Sequence, residues 1–328
     1  MSEPTIYTSM HPRQLHSRLY RPDDMSRLLL FLEEAKAWPP SGSPTASQLL
    51  ARWARRGVNP VEHIRLLSDD ASDLTAYWLA APFGDGSGRL GFDIVVHPRF
   101  RRHGLGNSLL QLVEAEARRY ASSRLTCPVF VSASNENPPG SHFLTGQGFR
   151  TDHGYWQLRL DNIVEQARPV WPPGIEVRGL ANMGGDIDTW CKLVLQAFGE
   201  ETSPSGVLAQ MHEPGGSPDG YFFAVDKSTG QEVGTSRARL DLSDNGRIGY
   251  VGTVGVLPQY RRRGIAEALV RHSLAYLAGL GVDSATLFVE RENQTARSIY
   301  DAMGWYPVYR TDHYWRPTSA LQASGSPI

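Results

Sequence analysis

Apolar residues recur every three or four positions in some stretches and alternate or run continuously in others. Ile187, Trp190, Val194 and Ala197 mark one face of a helix over 187–199, with Gly199 as its stop. Leu105, Leu109 and Leu112 mark a second helix; Ala296, Ile299, Tyr300 and Met303 mark a third over 294–303, closed by Gly304. A further helix is expected from about Gly264 to Ala278. The runs at 175–180, 221–226, 232–242, 247–257 and 284–290 read as strands, and 305–315 closes with strand character. A hairpin turn at SDNG (243–246) joins two of them, and the Ser/Pro/Gly-rich stretch 202–220 is a loop with room for a short helix. Antiparallel strands precede a strand–helix–strand unit. The fold class is therefore mixed α/β, a largely antiparallel central sheet with flanking helices.

The same order of elements occurs twice. HPRFRRHGLG (97–106) aligns with LPQYRRRGIA (257–266), GQGF (146–149) with AMGW (302–305), and TDHGYW (151–156) with TDHYW (311–315). A chain of 328 residues exceeds one ordinary core. Two tandem domains are expected: 1–161, then a linker at 162–174 (NIVEQARPVWPPG), then 175–328.

Composition narrows the function. With 41% hydrophobic and 20% charged residues the chain is globular, and a net charge of −1 argues against a general nucleic-acid partner. No apolar run approaches ~18 residues, so no membrane span is expected. The opening MSEPTIYTSMHPRQLHSRLY lacks the apolar core of a secretion signal. Cys127 and Cys191 stand far apart and read as reduced structural thiols, which fits a cytoplasmic location. Ten histidines show no paired ligand spacing, so no metal is expected. Trp38, Trp53 and Trp78 read as core.

The arginines pose the sharpest question. Arg261, Arg262 and Arg263 crowd the start of a helix, where the backbone dipole is already positive and each added cation costs on the order of 0.3–1 kcal/mol. A bound polyanion such as a pyrophosphate would remove the repulsion, because the unpaired N–H groups of a first turn bind anions. Neither GxxxxGK[ST] nor a full GxGxxG is present. RRRGIA and RRHGLG instead resemble the R/Q-x-x-G-x-G/A signature of the GCN5-related N-acetyltransferases, and NQTARSIYDAMGW resembles that family's later N-x-x-A-x-x-x-Y-x-x-x-G-aromatic motif. The resemblance covers most of 175–315 and, more weakly, about 20–160; the tandem arrangement is similar to the mycothiol synthase type.

The resemblance implies acetyl-CoA as co-substrate and an amine as acceptor. It implies that Val254, Gly255 and Val256 pair with the pantetheine arm, one N–H polarising the thioester carbonyl. Arg261, Arg262, Arg263, Gly264, Ile265, Ala266 and Asn293 would hold the cofactor, as would Val96, Arg101, Arg102, His103, Gly104, Leu105 and Gly106 in the first repeat. Periodicity alone puts Tyr300 in the core; the motif makes it the acid that protonates the leaving thiolate, a phenol of pKa about 10 serving a thiol of about 8.5. Asn293 could also simply cap its helix. Where the mycothiol synthase type carries a Glu on the central strand, this chain has Tyr250. The base is therefore open among Glu290, His212, Glu213 and a water chain. In the first repeat Leu144 or His142, depending on register, replaces the tyrosine, and NPPG (137–140) is expected to shorten the helix. That half is expected to bind coenzyme A or shape the acceptor cleft without catalysing.

The leading expectation is an N-acetyltransferase acting by direct attack on a small-molecule amine, as monomer or homodimer. The alternatives are mycothiol synthase-type acetylation of a cysteinyl amine, which the missing strand Glu opposes, a non-catalytic acyl-CoA sensor, which Tyr300 and Asn293 oppose, and a protein-modifying acetyltransferase.

Overall fold

Hydrophobic runs that reach both faces of a sheet become central strands, and amphipathic segments cover them. The computed structural model describes residues 5–6, 15–35, 45–69, 73–83, 87–132, 139–181, 186–241 and 248–318, so Trp38 and the turn at 243–246 lie outside the described residues. The chain forms two units, one of residues 1–155 and 308–328, the other of 156–307.

The first unit opens with β1 (Thr5–Ile6), β2 (Leu15–Leu19), α1 (Met25–Glu34), α2 (Ala46–Arg55), α3 (Pro60–His63), β3 (Ile64–Ser68) and β4 (Leu74–Pro82). It continues through β5 (Arg89–Val96), α4 (Leu105–Arg119), β6 (Arg124–Ser132), α5 (Pro139–Gly146) and the start of β7 (Arg150–Asp161). Strands β1 to β5 pair antiparallel in order, whereas β6 joins β5 in parallel. α4 buries Leu105, Leu109, Leu110 and Val113 against Leu90, Phe92 and Leu125, while α1 and α2 pack Leu28, Phe31, Leu49 and Trp53 on the other side of β3 and β4. Trp53 and Trp78 are core. Pro139 takes the first position of α5, where its missing N–H costs nothing, so the helix keeps eight residues and the expected shortening is slight.

The second unit contains the end of β7, then α6 (Ile163–Gln166), β8 (Ile175–Gly179), α7 (Ile187–Phe198), α8 (Pro204–His212), β9 (Tyr221–Asp226), β10 (Glu232–Asp241) and β11 (Ile248–Val256). α9 (Ile265–Gly279), β12 (Ser284–Glu290), α10 (Gln294–Ala302) and the first residues of β13 (Tyr306–Pro317) complete it. β8, β9, β10 and β11 are antiparallel neighbours, and β12 joins β11 in parallel. α9 packs Ile265, Leu269, Leu274 and Leu277 on one face; α7 and α8 pack Trp190, Val207 and Met211 on the other, against Tyr221 and Phe223.

Two details depart from the linear reading. The segment expected as a linker contains α6: Ile163 is fully buried, its N–H donates to Asp283 O at 3.1 Å, and Arg271 Nη1 donates to Gln166 Oε1 at 2.8 Å. The repeats also share out their closing strands. Tyr309–Pro317 pairs antiparallel with β6 of the first unit, whereas Trp156–Asp161 belongs to the second. The two compact units accordingly divide at 155/156 and 307/308.

Candidate active site

β11 is the element that shapes the site. It pairs with β12 only through Ile248–Tyr250 against Ser284–Thr286; the ladder ends there and the strands part. Along its other edge, Thr235 faces Gly255 but Arg237 faces Gly252, so Thr253 and Val254 together oppose one residue of β10. Thr253 is left-handed at φ 52°. Such a bulge kinks a strand and re-aims its peptide groups, and a β-branched residue at positive φ is strain of a kind concentrated at functional sites. Val254, Gly255 and Val256 follow and lead into the arginine loop.

That loop is built around its first arginine. Arg261 Nε donates to Val256 O at 3.0 Å and its Nη2 to Ala197 O at 2.9 Å, tying the end of β11 to the end of α7. Arg261 is thus a brace holding the loop. Arg263 lies 5.2 Å over the ring of Tyr260, whose hydroxyl donates to Asp226 Oδ2 at 3.0 Å. Arg262 (φ 60°) and Gly264 (φ 80°) are both left-handed, and no side chain caps the first turn of α9 at Gly264, Ile265 and Ala266. A Cβ on Gly264 would meet only Pro172 Cγ at 3.8 Å, so its φ is what demands glycine here. Backbone N–H groups in such a turn form an anion-binding nest.

The first unit has the same loop. Arg101 Nε donates to Val96 O at 3.0 Å and Nη2 to Ala35 O at 2.9 Å; Arg102 (φ 66°) and Gly104 (φ 80°) are left-handed, and Leu105 and Gly106 open α4 after His103. Its strand differs. β5 pairs with β4 without a bulge, and Asp93 occupies the position that aligns with Thr253. Arg56 Nη1 lies 2.6 Å and Arg52 Nη2 3.7 Å from the Asp93 carboxylate. Burial alone would raise this carboxyl; the two guanidiniums outweigh it and hold it below its ordinary value. Burial pushes the neighbouring Tyr77 phenol and Cys127 thiol far up. Leu144 is the counterpart of Tyr300: the N–H of Phe149 bonds Leu144 O as that of Trp305 bonds Tyr300 O, so the register with His142 does not hold.

Tyr300 lies on the buried face of α10, 6.1 Å from the Trp305 ring. Burial, then the nearby Tyr250 phenol, pushes it up to about 12. It is therefore protonated at neutral pH and able to donate. Asn293 caps α10, accepting the Ala296 N–H at 3.0 Å. Glu290 ends β12 with an exposed side chain. His212 is exposed, its Nδ1 2.8 Å from Leu208 O in its own helix. The stretch 202–220 is packed down, with Val207 and Met211 buried and Gly220 against Ala238 O.

One cluster escaped the sequence reading. Tyr221, Arg237 and Gly252 are directly opposed across β9, β10 and β11, on the face covered by α7 and α8. The Arg237 guanidinium lies 6.0 Å from the Tyr221 ring and 5.8 Å from the Tyr250 ring, and its Nη1 donates to Gln210 Oε1 of α8. Arg239, directly opposite Tyr250 in the ladder, lies over the same ring at 4.9 Å. The signal in the sequence was the pair of arginines at 237 and 239 flanking buried Ala238 in a strand whose first half is buried.

Among the described residues no three His, Cys, Asp or Glu side chains gather as metal ligands, and no helix is long and apolar enough to cross a membrane. Both cysteines are free.

The family model for the acetyltransferase (GNAT) family matches residues 24–149 and 187–305. A mycothiol acetyltransferase of Thermobispora bispora is 28% identical over 284 residues, spanning 84% of this chain and 91% of that protein. One from Salinispora arenicola is 27% identical over 253 residues, 75% of this chain and 78% of its own. A GCN5-related N-acetyltransferase from Sphaerobacter thermophilus shares the fold with a TM-score of 0.76 at 23% identity, over 93% of this chain and 96% of that one. A tandem GNAT protein from the clavulanic acid biosynthesis pathway does so with a TM-score of 0.69 at 16% identity, over 96% and 100%. With the signature loop and its helix formed in both units and the family match covering most of the described chain, this protein belongs to the GNAT family and is a tandem-domain acetyltransferase.

Proposed function

We propose that the second unit moves an acetyl group from acetyl-CoA to a primary amine of a small molecule by direct attack. The observation that carries this reading is the bulged β11, open towards β12 and running into a braced, left-handed loop, in a unit that also holds the buried Tyr300 on α10. The residues present fit the pyrophosphate and pantetheine of the co-substrate. Peptide groups at Arg262–Ala266 are left uncapped by any side chain and would receive an anion, Arg262 and Arg263 add charge, and the parted edge at Val254–Val256 offers main-chain partners. An N–H of that stretch stabilises the carbonyl oxygen as the amine adds. Tyr300 hands its proton to the departing thiolate and regains one from solvent. Asn293 holds the start of α10 and so the position of Tyr300. Glu290 or a water chain accepts the proton of the amine.

The first unit carries the same loop but not the bulge or the tyrosine. Its role in this reading is to hold coenzyme A, or to support the fold, without catalysing. Acetylation of a cysteinyl amine is the second reading. The named activity of the relatives favours it, and Tyr250 in place of the strand Glu opposes it.

The test is Tyr300→Phe, with thiol release and acetyl-CoA calorimetry measured on the same preparation. We expect turnover to fall by roughly 10²-fold or more, as for a general acid, with the dissociation constant changed little. Turnover within about twofold of wild type would remove Tyr300 from the mechanism.

A further inference from the structure

We propose that the acceptor amine also carries a carboxylate, and that Arg237 binds it with help from Tyr221. The inference rests on the reading of the second unit as the catalytic one.

Arg237 is half-buried between two phenol rings, a costly place for a cation unless something offsets it. Among the described residues no carboxylate lies within ion-pair distance of Arg237 or of Arg239. Gln210 takes only Nη1, while Nε is buried with no hydrogen-bond partner. Nε and Nη2 form the side-on edge of the guanidinium, the edge that matches a planar carboxylate with two parallel bonds. The hydroxyl of Tyr221, directly opposite on β9, is also buried and unpartnered. These orphaned donors lie on one face of the sheet, in a stretch where Arg239 adds a second cation. For the buried guanidiniums of Arg52 and Arg56 the fold supplies a counter-charge, Asp93.

Position makes this an acceptor site. Arg237 faces Gly252, the last residue before the Thr253–Val254 bulge, and a Cβ at Gly252 would strike the Tyr250 ring at 2.6 Å. A carboxylate anchored there would lie two residues along β11 from the peptide groups assigned to the thioester, on the face covered by α7 and α8. A small amine held by its acid group would therefore present its nitrogen to the acyl carbon.

The experiment compares glycine, L-serine, L-lysine and L-glutamate with their C-terminal amides as acceptors, on the intact protein. Wild type should use the free acids at least tenfold better in kcat/KM than the amides. Arg237→Gln should bring that ratio close to one, mainly by raising KM for the acids, and Arg237→Lys should restore part of it. Where no probe is turned over, saturation-transfer NMR on the CoA-loaded protein reads the same acid-to-amide preference as binding. Equal use or equal binding of acids and amides by wild type overturns the proposal, as does a preference that survives Arg237→Gln. Failure of the underlying reading looks different: acetyl-CoA then gives no calorimetric heat, or Gly264→Glu leaves that heat unchanged.

Discussion

Removing Asp93 tests whether its buried ion pairs hold the first unit together. Asp93→Ala leaves Arg52 and Arg56 facing one another with no counter-charge. Breaking a buried ion pair from one side costs about 3–5 kcal/mol. The side chains of Asp93, Arg52 and Arg56 are 14%, 17% and 16% exposed, so water screens them a little and the lower end, about 3 kcal/mol, is expected. At roughly 2–4 °C per kcal/mol for a domain of this size, the thermal midpoint of that unit should fall by about 6–12 °C. Differential scanning calorimetry reads the shift, and acetyl-CoA turnover, measured well below the transition, should persist. The pH dependence has a definite sign. A carboxyl held below its ordinary pKa of about 3.9 contributes stability that is fully present above that value and is lost as pH falls through the lower folded value. The gap between wild type and variant should be flat from about pH 5 to 8 and shrink below about pH 4. A midpoint change under about 2 °C, or a gap that closes between pH 5 and 8, would refute the reasoning.

Other expectations follow from the same geometry. Arg261→Ala removes both ties of the loop and should weaken coenzyme A binding about tenfold by calorimetry; Arg261→Lys should not rescue it, because one ammonium cannot span two carbonyls with a rigid fork. Gly264→Glu places a bulky anion at φ 80° over the nest and should abolish binding at that loop; unchanged stoichiometry would contradict the assignment. Gly220→Ala puts a methyl group 2.0 Å from Ala238 O and should destabilise the protein by about 1–3 kcal/mol in a denaturant melt. Because burial pushes the Tyr300 phenol up to about 12, its deprotonation should produce no falling limb in the pH–rate profile between pH 7 and 10.

Local pattern alone was enough for most elements of the second repeat, the duplication, the family and the two loops. These depend on local periodicity and on residues adjacent in the chain: the strand expected over 247–257, the glycine at 264 and an asparagine able to cap a helix at 293 are each written within a few positions. What the side chains do once folded depends on contacts between distant segments. Arg261, read as one of three phosphate cations, spends its donors on carbonyls of Val256 and Ala197, and the latter is brought near by α7 packing on the sheet. The bulge at Thr253 arises from register against β10, and the closing strands change units through pairing of residues far apart in the chain. Arg237 drew no notice in the linear reading because Tyr221, Gln210 and Tyr250 come from three other elements. Hydrogen-bond registers and unpaired buried charges are properties of distant segments in contact, and a one-dimensional pattern does not carry them.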